Sequence, residues 1–201
     1  MAHKGRNLPS YDWGKWYTKG SAYDATTRQL MYEMERRNGA PRLRALDIGA
    51  GPLLSDSLYL RAQGFARVTA VDHWVGFGKE EVSGIECVKM PAERYVIERE
   101  AFDVIIAFNT FFYLRKSEIE RIMRRAYAGL SSGGVFLFNV GGEAADYESD
   151  NDVTLYAQSE AQSLLKPYEP AAELASKLIQ KRSAVGEVCL NTSYYGRISK
   201  A

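Results

Sequence analysis

The chain has 201 residues, of which 46% are hydrophobic and 25% are charged. This composition is typical of a globular protein and argues against disorder, collagen-like repeats and coiled coils. The 26 basic and 25 acidic side chains leave a net charge of +1, so no overall field favours nucleic acid or an anionic membrane. We expect neither as a partner, and the oligomeric state is left open.

Targeting signals and metal ligands are also missing from the sequence. No apolar stretch is long enough to span a bilayer, and the first residues contain no signal-peptide pattern. Cys87 and Cys189 lie in strand-like apolar runs, where reduced thiols are expected. With two histidines in the chain, a His/Cys zinc site is not expected. A cytoplasmic protein without a bound metal is the resulting expectation.

The first predicted helix follows an irregular, aromatic-rich segment. Ser21 and Asp24 form a capping-box pattern at its start, and Gly39 with Pro41 ends it. Further along the chain, strand-like and helix-like segments alternate. The predicted strands cover 43–48, 67–72, 85–90, 102–108 and 135–140.

Helices are predicted between these strands. One runs from about Leu53 to Gln63, a short one follows Ala92, and a third opens with a capping box of Ser117 and Glu120. Strands that are almost continuously apolar, separated by amphipathic helices, indicate a mostly parallel sheet covered on both faces. The predicted fold is a doubly wound α/β fold.

The end of the chain is predicted to contain an acidic loop (141–153), helices at 154–165 and 170–182, and short strands within 186–200. No repeat or linker divides the sequence, so we expect a single domain over 1–201. Its parts are an N-terminal lid segment and helix (1–40), a cofactor-binding core (41–140), and a substrate-side region with the C-terminal strands (141–201).

A glycine-rich turn is the clearest motif. The sequence ALDIGAGP (45–52) runs from a buried strand into Gly49, Ala50 and Gly51. Two close glycines let the backbone approach a ligand without Cβ interference, at the sheet edge where ligands bind. A plain strand-to-helix turn is the other interpretation. A dinucleotide loop would need a small residue at position 54, which is Leu54, so a nicotinamide cofactor is disfavoured.

The second predicted strand ends at Asp72. A carboxylate at this point can accept hydrogen bonds from both ribose hydroxyls of an adenosine. By itself, Asp72 could be a solvated residue in a turn. The glycine turn, which begins 23 residues earlier at Gly49, favours a nucleotide site. His73 follows and could pack against an adenine ring, or have only a packing or surface role.

With the stretch 88–114, these residues resemble the class I S-adenosylmethionine-dependent methyltransferase superfamily over roughly residues 40–140. The resemblance implies a Rossmann-like fold, S-adenosyl-L-methionine as cofactor and S-adenosyl-L-homocysteine as product. It also implies which residues contact the cofactor. These are Asp47, Gly49, Ala50 and Gly51 at the methionine end, Asp72 at the ribose, His73, Ala92 and Glu93 at the adenine, and Phe108 at the end of the fourth strand.

Two positions depart from the pattern of this superfamily. Leu53 replaces the third glycine of the first motif, and Pro91 stands where an acid often follows the third strand. We expect Glu93 to take the place of that acid. A similarity to small tellurite-resistance and thiopurine-type methyltransferases rests on residues 57–74 and on the early pattern of Trp13, Lys15, Trp16 and Gly20.

Methyl transfer from a sulfonium is an in-line displacement, in which the protein chiefly aligns a nucleophile with the methyl carbon. After the fourth predicted strand, the sequence 109–113 reads NTFFY and lacks the acids of a magnesium site. We therefore expect metal-independent transfer to a small apolar or aromatic molecule. The predicted substrate contacts are Asn109, Phe112, Tyr113, Tyr11, Trp16 and Tyr17. For Phe112 and Tyr113, packing in the core is the other interpretation.

Several alternatives stay open at this stage. The N-terminal aromatic residues predict a lid over the site, or an anchor of the N-terminus on the core. The acidic stretch 141–152 predicts an entrance that favours neutral or cationic substrates, or a solvated connector. For the whole chain, a catalytically silent S-adenosylmethionine-binding regulatory or assembly protein is the second hypothesis, and another nucleotide enzyme is the third.

Overall fold

The computed structural model describes residues 23–73, 84–142, 154–182 and 188–201. The helices are α1 (Tyr23–Arg36), α2 (Ser55–Ala62), α3 (Lys116–Gly129) and α4 (Gln158–Leu165), with short 3-10 helices at Phe111–Tyr113 and Lys166–Tyr168. The strands are β1 (Arg44–Ile48), β2 (Arg67–Asp72), β3 (Ile85–Lys89), β4 (Phe102–Ala107), β5 (Leu130–Gly142), β6 (Leu155–Tyr156), β7 (Ala172–Arg182) and β8 (Val188–Ser199). The predicted cap at Ser21 and most of the acidic loop, residues 143–153, lie outside the described residues.

The described strands form one sheet in the order β3-β2-β1-β4-β5-β8-β7, with β6 beside β5. Neighbouring strands are parallel except where β8 pairs with β5 and with β7. The chain builds outward from β1 to β3 and then resumes with β4 on the other side of β1. The carboxyl ends of β1 and β4 therefore flank a topological switch point, where open α/β sheets bind ligands.

Helices cover both faces of the sheet. On one face, α1 and α2 bury Leu30 and Leu60 in an apolar cluster with strands β1, β2 and β4. On the other face, α3 buries Ile119 and Met123 in a second cluster with β4 and β5. This arrangement confirms the doubly wound, mostly parallel α/β fold. Among the described residues, no helix is both long and apolar enough to cross a membrane.

The predicted helix over 170–182 is wrong, because Ala172–Arg182 forms strand β7. This strand pairs with β8 along its whole length. Burial alternates where it begins, since Ala172 and Leu174 are half-buried and Glu173 is exposed. Pairing with a long neighbouring strand outweighs the helical propensity of this alanine-rich and leucine-rich sequence.

Other elements differ from the predictions in extent. Residues 92–94 form a turn rather than a helix after Ala92. Residues 155–156 join the sheet as β6, so α4 begins at Gln158 instead of near 154. The short strands expected within 186–200 form the single strand β8. For β6 and β8, pairing with β5 decides the local conformation.

The start of α3 also differs from its prediction. The backbone N–H of Arg115 donates to the side chain of Glu118 at 3.0 Å, and the helix begins at Lys116. The predicted capping box of Ser117 and Glu120 is therefore wrong by two residues, since Glu118 is the acid that reaches back to the helix start.

A glycine on β8 generates the first prediction. A Cβ atom at Gly196 would overlap the ring of Phe138, which is 1% exposed. Because this ring lies in a packed core, we expect Gly196→Ala to lower the free energy of unfolding by about 1–3 kcal/mol in urea titrations. In a cycle with Phe138→Leu the two losses should be less than additive. Strict additivity would contradict the contact.

Candidate functional site

The turn between β1 and α2 brings backbone atoms to the switch point. Gly49 and Gly51 have φ values of +77° and +64°, conformations that favour glycine. The N–H groups of Gly49 and Ala50 donate to the Val71 carbonyl of β2 at 2.7 and 3.2 Å. A Cβ atom at Gly49 would overlap the side chain of Thr110. The turn is therefore fixed to β2 on one side and packed against the chain after β4 on the other.

Leu53, which replaces the third glycine of the motif, is 49% exposed. Because it is exposed, its side chain does not fill the space beside the glycine turn. Leu54 is buried and has a φ of +51°, and α2 begins directly after it. This left-handed conformation is rare for leucine and turns the chain into the helix without a further glycine.

Asp72 ends β2 beside the glycine turn. Its Oδ2 accepts a hydrogen bond from the Gly51 N–H at 2.9 Å, and its side chain is 12% exposed. Its Oδ1 lies 3.6 Å from Nδ1 of His73, whose side chain is exposed. The structure thus brings the predicted acid and the predicted glycine turn into direct contact.

A buried carboxyl group lies at the end of β1. Asp47 is 3% exposed, and its Oδ2 accepts a hydrogen bond from the Ser57 hydroxyl at 2.6 Å. Burial, together with the carboxyl groups of Asp56 and Asp72, raises the pKa of Asp47 to about 8. Burial also raises the pKa of Asp56 to about 6.

No ion pair in the described part of the chain includes Asp47 or Asp56. Neighbouring buried carboxyl groups without a cation resist ionisation, because each charge loses its hydration and repels the other. A positively charged group placed among them would reverse this effect. The electrostatics of the site therefore favour a cationic ligand.

The chain after β4 forms the opposite side of the switch point. Phe108 is 6% exposed and belongs to the apolar core. Asn109 has a φ of +55°. The Thr110 hydroxyl donates to the Ile48 carbonyl at 2.8 Å, with the Phe108 carbonyl at 3.1 Å. Thr110 therefore ties the end of β1 to the end of β4.

The predicted aromatic contacts separate in the structure. The side chains of Phe112 and Leu155 fill the space over Gly141, near the carboxyl end of β5. The Tyr113 side chain is 47% exposed. Phe112 thus lies at the same sheet edge as the glycine turn, and Tyr113 faces solvent. Tyr11, Trp16 and Tyr17 lie outside the described residues, so their role stays a prediction.

Ala92 and Glu93 lie on the turn that follows β3. The Met90 N–H donates to the Asp72 carbonyl at 2.9 Å, which holds the start of this turn beside β2. Both residues are half-buried, and the Glu93 carbonyl accepts a hydrogen bond from Arg125 at 3.1 Å. They share the sheet edge with Asp72, and no direct hydrogen bond to the glycine turn is described for them.

Four residues of this region were not predicted as part of the site: Asp56, Ser57, Thr110 and Asn139. The first three acquire their roles only through neighbours that the fold brings close. The sequence alone could have indicated Asn139, because it is an amide inside the apolar strand sequence VFLFNV (135–140). A buried amide requires hydrogen-bond partners, and here they belong to Asn109.

Residues 46–138 match the model of a family described as a methyltransferase domain. The matched segment contains the glycine turn, Asp72 and strand β4. This segment is therefore similar in sequence to a methyltransferase domain. No curated protein matches the chain in sequence.

Solved structures of methyltransferases share the fold of this chain. The 1,6-didemethyltoxoflavin-N1-methyltransferase of Burkholderia thailandensis has a TM-score of 0.65 and 20% identity, over 96% of this chain and 85% of that one. An S-adenosylmethionine-dependent methyltransferase of Mesorhizobium loti has a TM-score of 0.59 and 14% identity, over 89% and 98%. A phosphoethanolamine N-methyltransferase of Haemonchus contortus has a TM-score of 0.61 and 15% identity, over 85% and 52%.

The packing of the glycine turn generates the second prediction. Gly49→Ala should lower the free energy of unfolding by roughly 2–4 kcal/mol in urea titrations, because it combines a left-handed φ with an overlap at Thr110. Gly39→Ala is the matched control. Its φ is +83° but nothing lies within 4 Å of the added Cβ, so about 1–2 kcal/mol is expected. Equal losses would contradict the packing of Thr110.

The buried carboxyl group of Asp47 generates the third prediction. The pKa of Asp47 is raised above its value in the unfolded chain, so the folded state holds a proton that the unfolded state releases. Stability is therefore lost as pH rises from about 4 to about 8. Asp47→Asn should remove this loss and stabilise the protein by a few kcal/mol at pH 8, and by less at pH 5.

The matched control for this variant is Asp103→Asn. Asp103 is also buried, but its carboxylate accepts hydrogen bonds from the backbone N–H of Leu43 at 2.7 Å and from the Ser131 hydroxyl at 3.0 Å. Removing that charge should destabilise the fold. If Asp47→Asn destabilises the protein at pH 8 by a similar amount, Asp47 is ionised and satisfied in the folded state, contrary to our account.

Proposed function

We propose that this enzyme transfers the methyl group of S-adenosyl-L-methionine to a small-molecule nucleophile by in-line displacement, without a metal ion. The observation that carries the proposal is the contact between Asp72 and Gly51 at the switch point. It joins a carboxylate suited to ribose hydroxyls to a turn without Cβ atoms. Two structural neighbours support the substrate class, since their structures hold 1,6-didemethyltoxoflavin and phosphomonomethylethanolamine.

The chemistry of the site fits the cofactor. S-adenosylmethionine carries an ammonium and a sulfonium group, and the carboxyl groups of Asp47 and Asp56 lack a cation in the described part of the chain. The glycine turn offers N–H groups and free space at the same edge. In this proposal Asp72 binds the ribose, Asp47 and the turn 49–51 face the methionine end, and His73, Ala92, Glu93 and Phe108 surround the adenine.

The cofactor supplies the electrophilic methyl group, so the chain has to supply alignment and polarity. Asn109 lies one residue from Thr110, which contacts the glycine turn, and Phe112 lies over the end of β5. We assign the positioning of the nucleophile to Asn109, Phe112 and Tyr113. A neutral amine or another soft nucleophile needs no general base.

Metal independence is proposed from the sequence that follows β4, because residues 109–113 contain no acid. Within the described residues, no cluster of three or more His, Cys, Asp and Glu side chains has the arrangement of a metal site. An amine or thiol acceptor would require no Lewis acid for activation.

Further parts of the proposal rest on the sequence. We infer one domain over 1–201, acting in the cytoplasm, in which Tyr11, Trp16 and Tyr17 cover the site. The lid is supported by the density of aromatic residues in an N-terminal segment that leads into α1. The similarity to the tellurite-resistance and thiopurine-type branch stays a prediction.

Removing the acid of β2 is the most direct test of the cofactor site. Asp72→Ala should weaken the binding of S-adenosyl-L-homocysteine by about 10- to 150-fold in calorimetry, since a charge-assisted hydrogen bond contributes about 1.5–3 kcal/mol. The control is Glu86→Gln, which removes an exposed carboxylate on β3 that pairs with Arg67. Unchanged affinity in a folded Asp72→Ala protein would contradict the assignment.

Chelation tests the proposed chemistry separately. Turnover of S-adenosylmethionine with an acceptor found by screening should survive dialysis against excess EDTA, because no step in the proposal uses a metal. Loss of turnover that magnesium restores would show that a metal site was overlooked. The binding of S-adenosyl-L-homocysteine serves as the control that EDTA leaves the protein folded.

A further inference from the structure

Two asparagines form a closed pair next to the glycine turn. The Asn109 N–H donates to Oδ1 of Asn139 at 2.6 Å, and Nδ2 of Asn139 donates to Oδ1 of Asn109 at 3.1 Å. Asn139 is 1% exposed and lies in β5, between the apolar residues Phe138 and Val140. Asn109 is half-buried at the end of β4. One side chain of β5 thus fixes both the backbone and the side chain of Asn109.

The hydrogen-bond directions in this pair follow from chemistry. A backbone N–H can only donate, so the Asn139 atom that faces it must be the oxygen. The remaining Asn139 atom is then the amide nitrogen, which also can only donate, so Asn109 must present its own oxygen to it. The pair therefore leaves the two N–H groups of Asn109 Nδ2 for another partner. This end of β4 presents a hydrogen-bond donor.

Forming this pair costs folding free energy. Asn109 adopts a φ of +55°, which glycine would accept without strain. Asn139 buries an amide at a position where an apolar residue would suit the flanking strand. Asn109 directly precedes Thr110, whose side chain packs against Gly49 of the glycine turn. Strain at a ligand-binding edge is typical of a functional position.

An uncharged tyrosine accompanies the pair. Tyr195 of β8 lies opposite Asn139 in register, and it is 5% exposed. Its hydroxyl lies near the Asn139 carboxamide without a hydrogen bond of good geometry in the described part of the chain. Burial raises the pKa of Tyr195 to about 12, so the phenol is neutral at physiological pH. The row of Asn109, Asn139 and Tyr195 is polar and uncharged.

We propose that Asn139 is a positioning residue that holds Asn109 with its Nδ2 donor toward the methyl acceptor, and that the acceptor is an uncharged molecule bearing a carbonyl oxygen or a ring nitrogen. This inference rests on the proposed function, because it places the acceptor beside the cofactor. It goes beyond that function by fixing the polarity of the group that is recognised.

The test uses three probes on the full chain saturated with S-adenosyl-L-homocysteine. Acetophenone offers a carbonyl acceptor, α-methylstyrene has the same shape without it, and aniline offers a donor. Their dissociation constants come from 1H–15N NMR titrations. Wild type should bind acetophenone about tenfold more tightly than α-methylstyrene, as expected for one hydrogen bond. Asn109→Gly keeps the left-handed φ and should abolish this preference.

Asn139→Asp provides the sharper variant. A carboxylate at position 139 can still accept from the Asn109 N–H, but it cannot donate to the Asn109 side chain. The Asn109 carboxamide should then rotate so that its nitrogen faces Asp and its oxygen faces the acceptor. We expect the preference for acetophenone to disappear and aniline to bind several-fold more tightly than to wild type. A purely structural role of Asn139 would not reverse the preference.

The outcomes separate this inference from the proposed function. Equal binding of acetophenone and α-methylstyrene to wild type, or no binding of acetophenone, overturns the inference. A preference that survives in Asn109→Gly also overturns it. If S-adenosyl-L-homocysteine itself fails to bind in calorimetry, the proposed function fails, whereas binding without a probe preference leaves that function intact and refutes only the role of Asn109 and Asn139.

Discussion

The site depends on the close approach of the glycine turn to Thr110. Gly49 has no Cβ, so the Thr110 hydroxyl can reach the Ile48 carbonyl at 2.8 Å and join the ends of β1 and β4. These strands are paired neighbours and flank the point where the sheet order reverses, which is where open α/β sheets bind ligands. In the proposed function, the contact sets the distance between the residues assigned to the cofactor and those assigned to the acceptor.

The polar groups around this contact reduce the stability of the fold when no ligand is bound. Burial raises the pKa values of Asp47 and Asp56, and the carboxyl group of Asp56 adds to the shift at Asp47. Asn139 buries an amide, and Asn109 holds a strained backbone. A cationic cofactor would relieve the repulsion of the acids, and an acceptor would use the free donor of Asn109. Binding and stability thus oppose each other at these positions, as is common at functional sites.

Much of the fold could be predicted from local sequence pattern. Strands β1, β2 and β4 are short apolar runs, and the glycine turn marks the end of β1. The failure over 170–182 has a physical reason, since β7 is specified by pairing with β8 rather than by its own residues. The same limit applies to the site. Asp72 and the glycine turn carry a motif, whereas the roles of Ser57 and Thr110 exist only through contacts across the sheet.

The central claim is that the edge between β1 and β4 binds the cofactor. Hydrogen exchange followed by mass spectrometry, with and without saturating S-adenosyl-L-homocysteine, tests it without mutation. The account predicts slower exchange in peptides that cover 47–57, 71–73 and 108–110, with α1 and β7 unchanged. Saturable binding that leaves these three segments unprotected, or that protects another edge of the sheet instead, would contradict it.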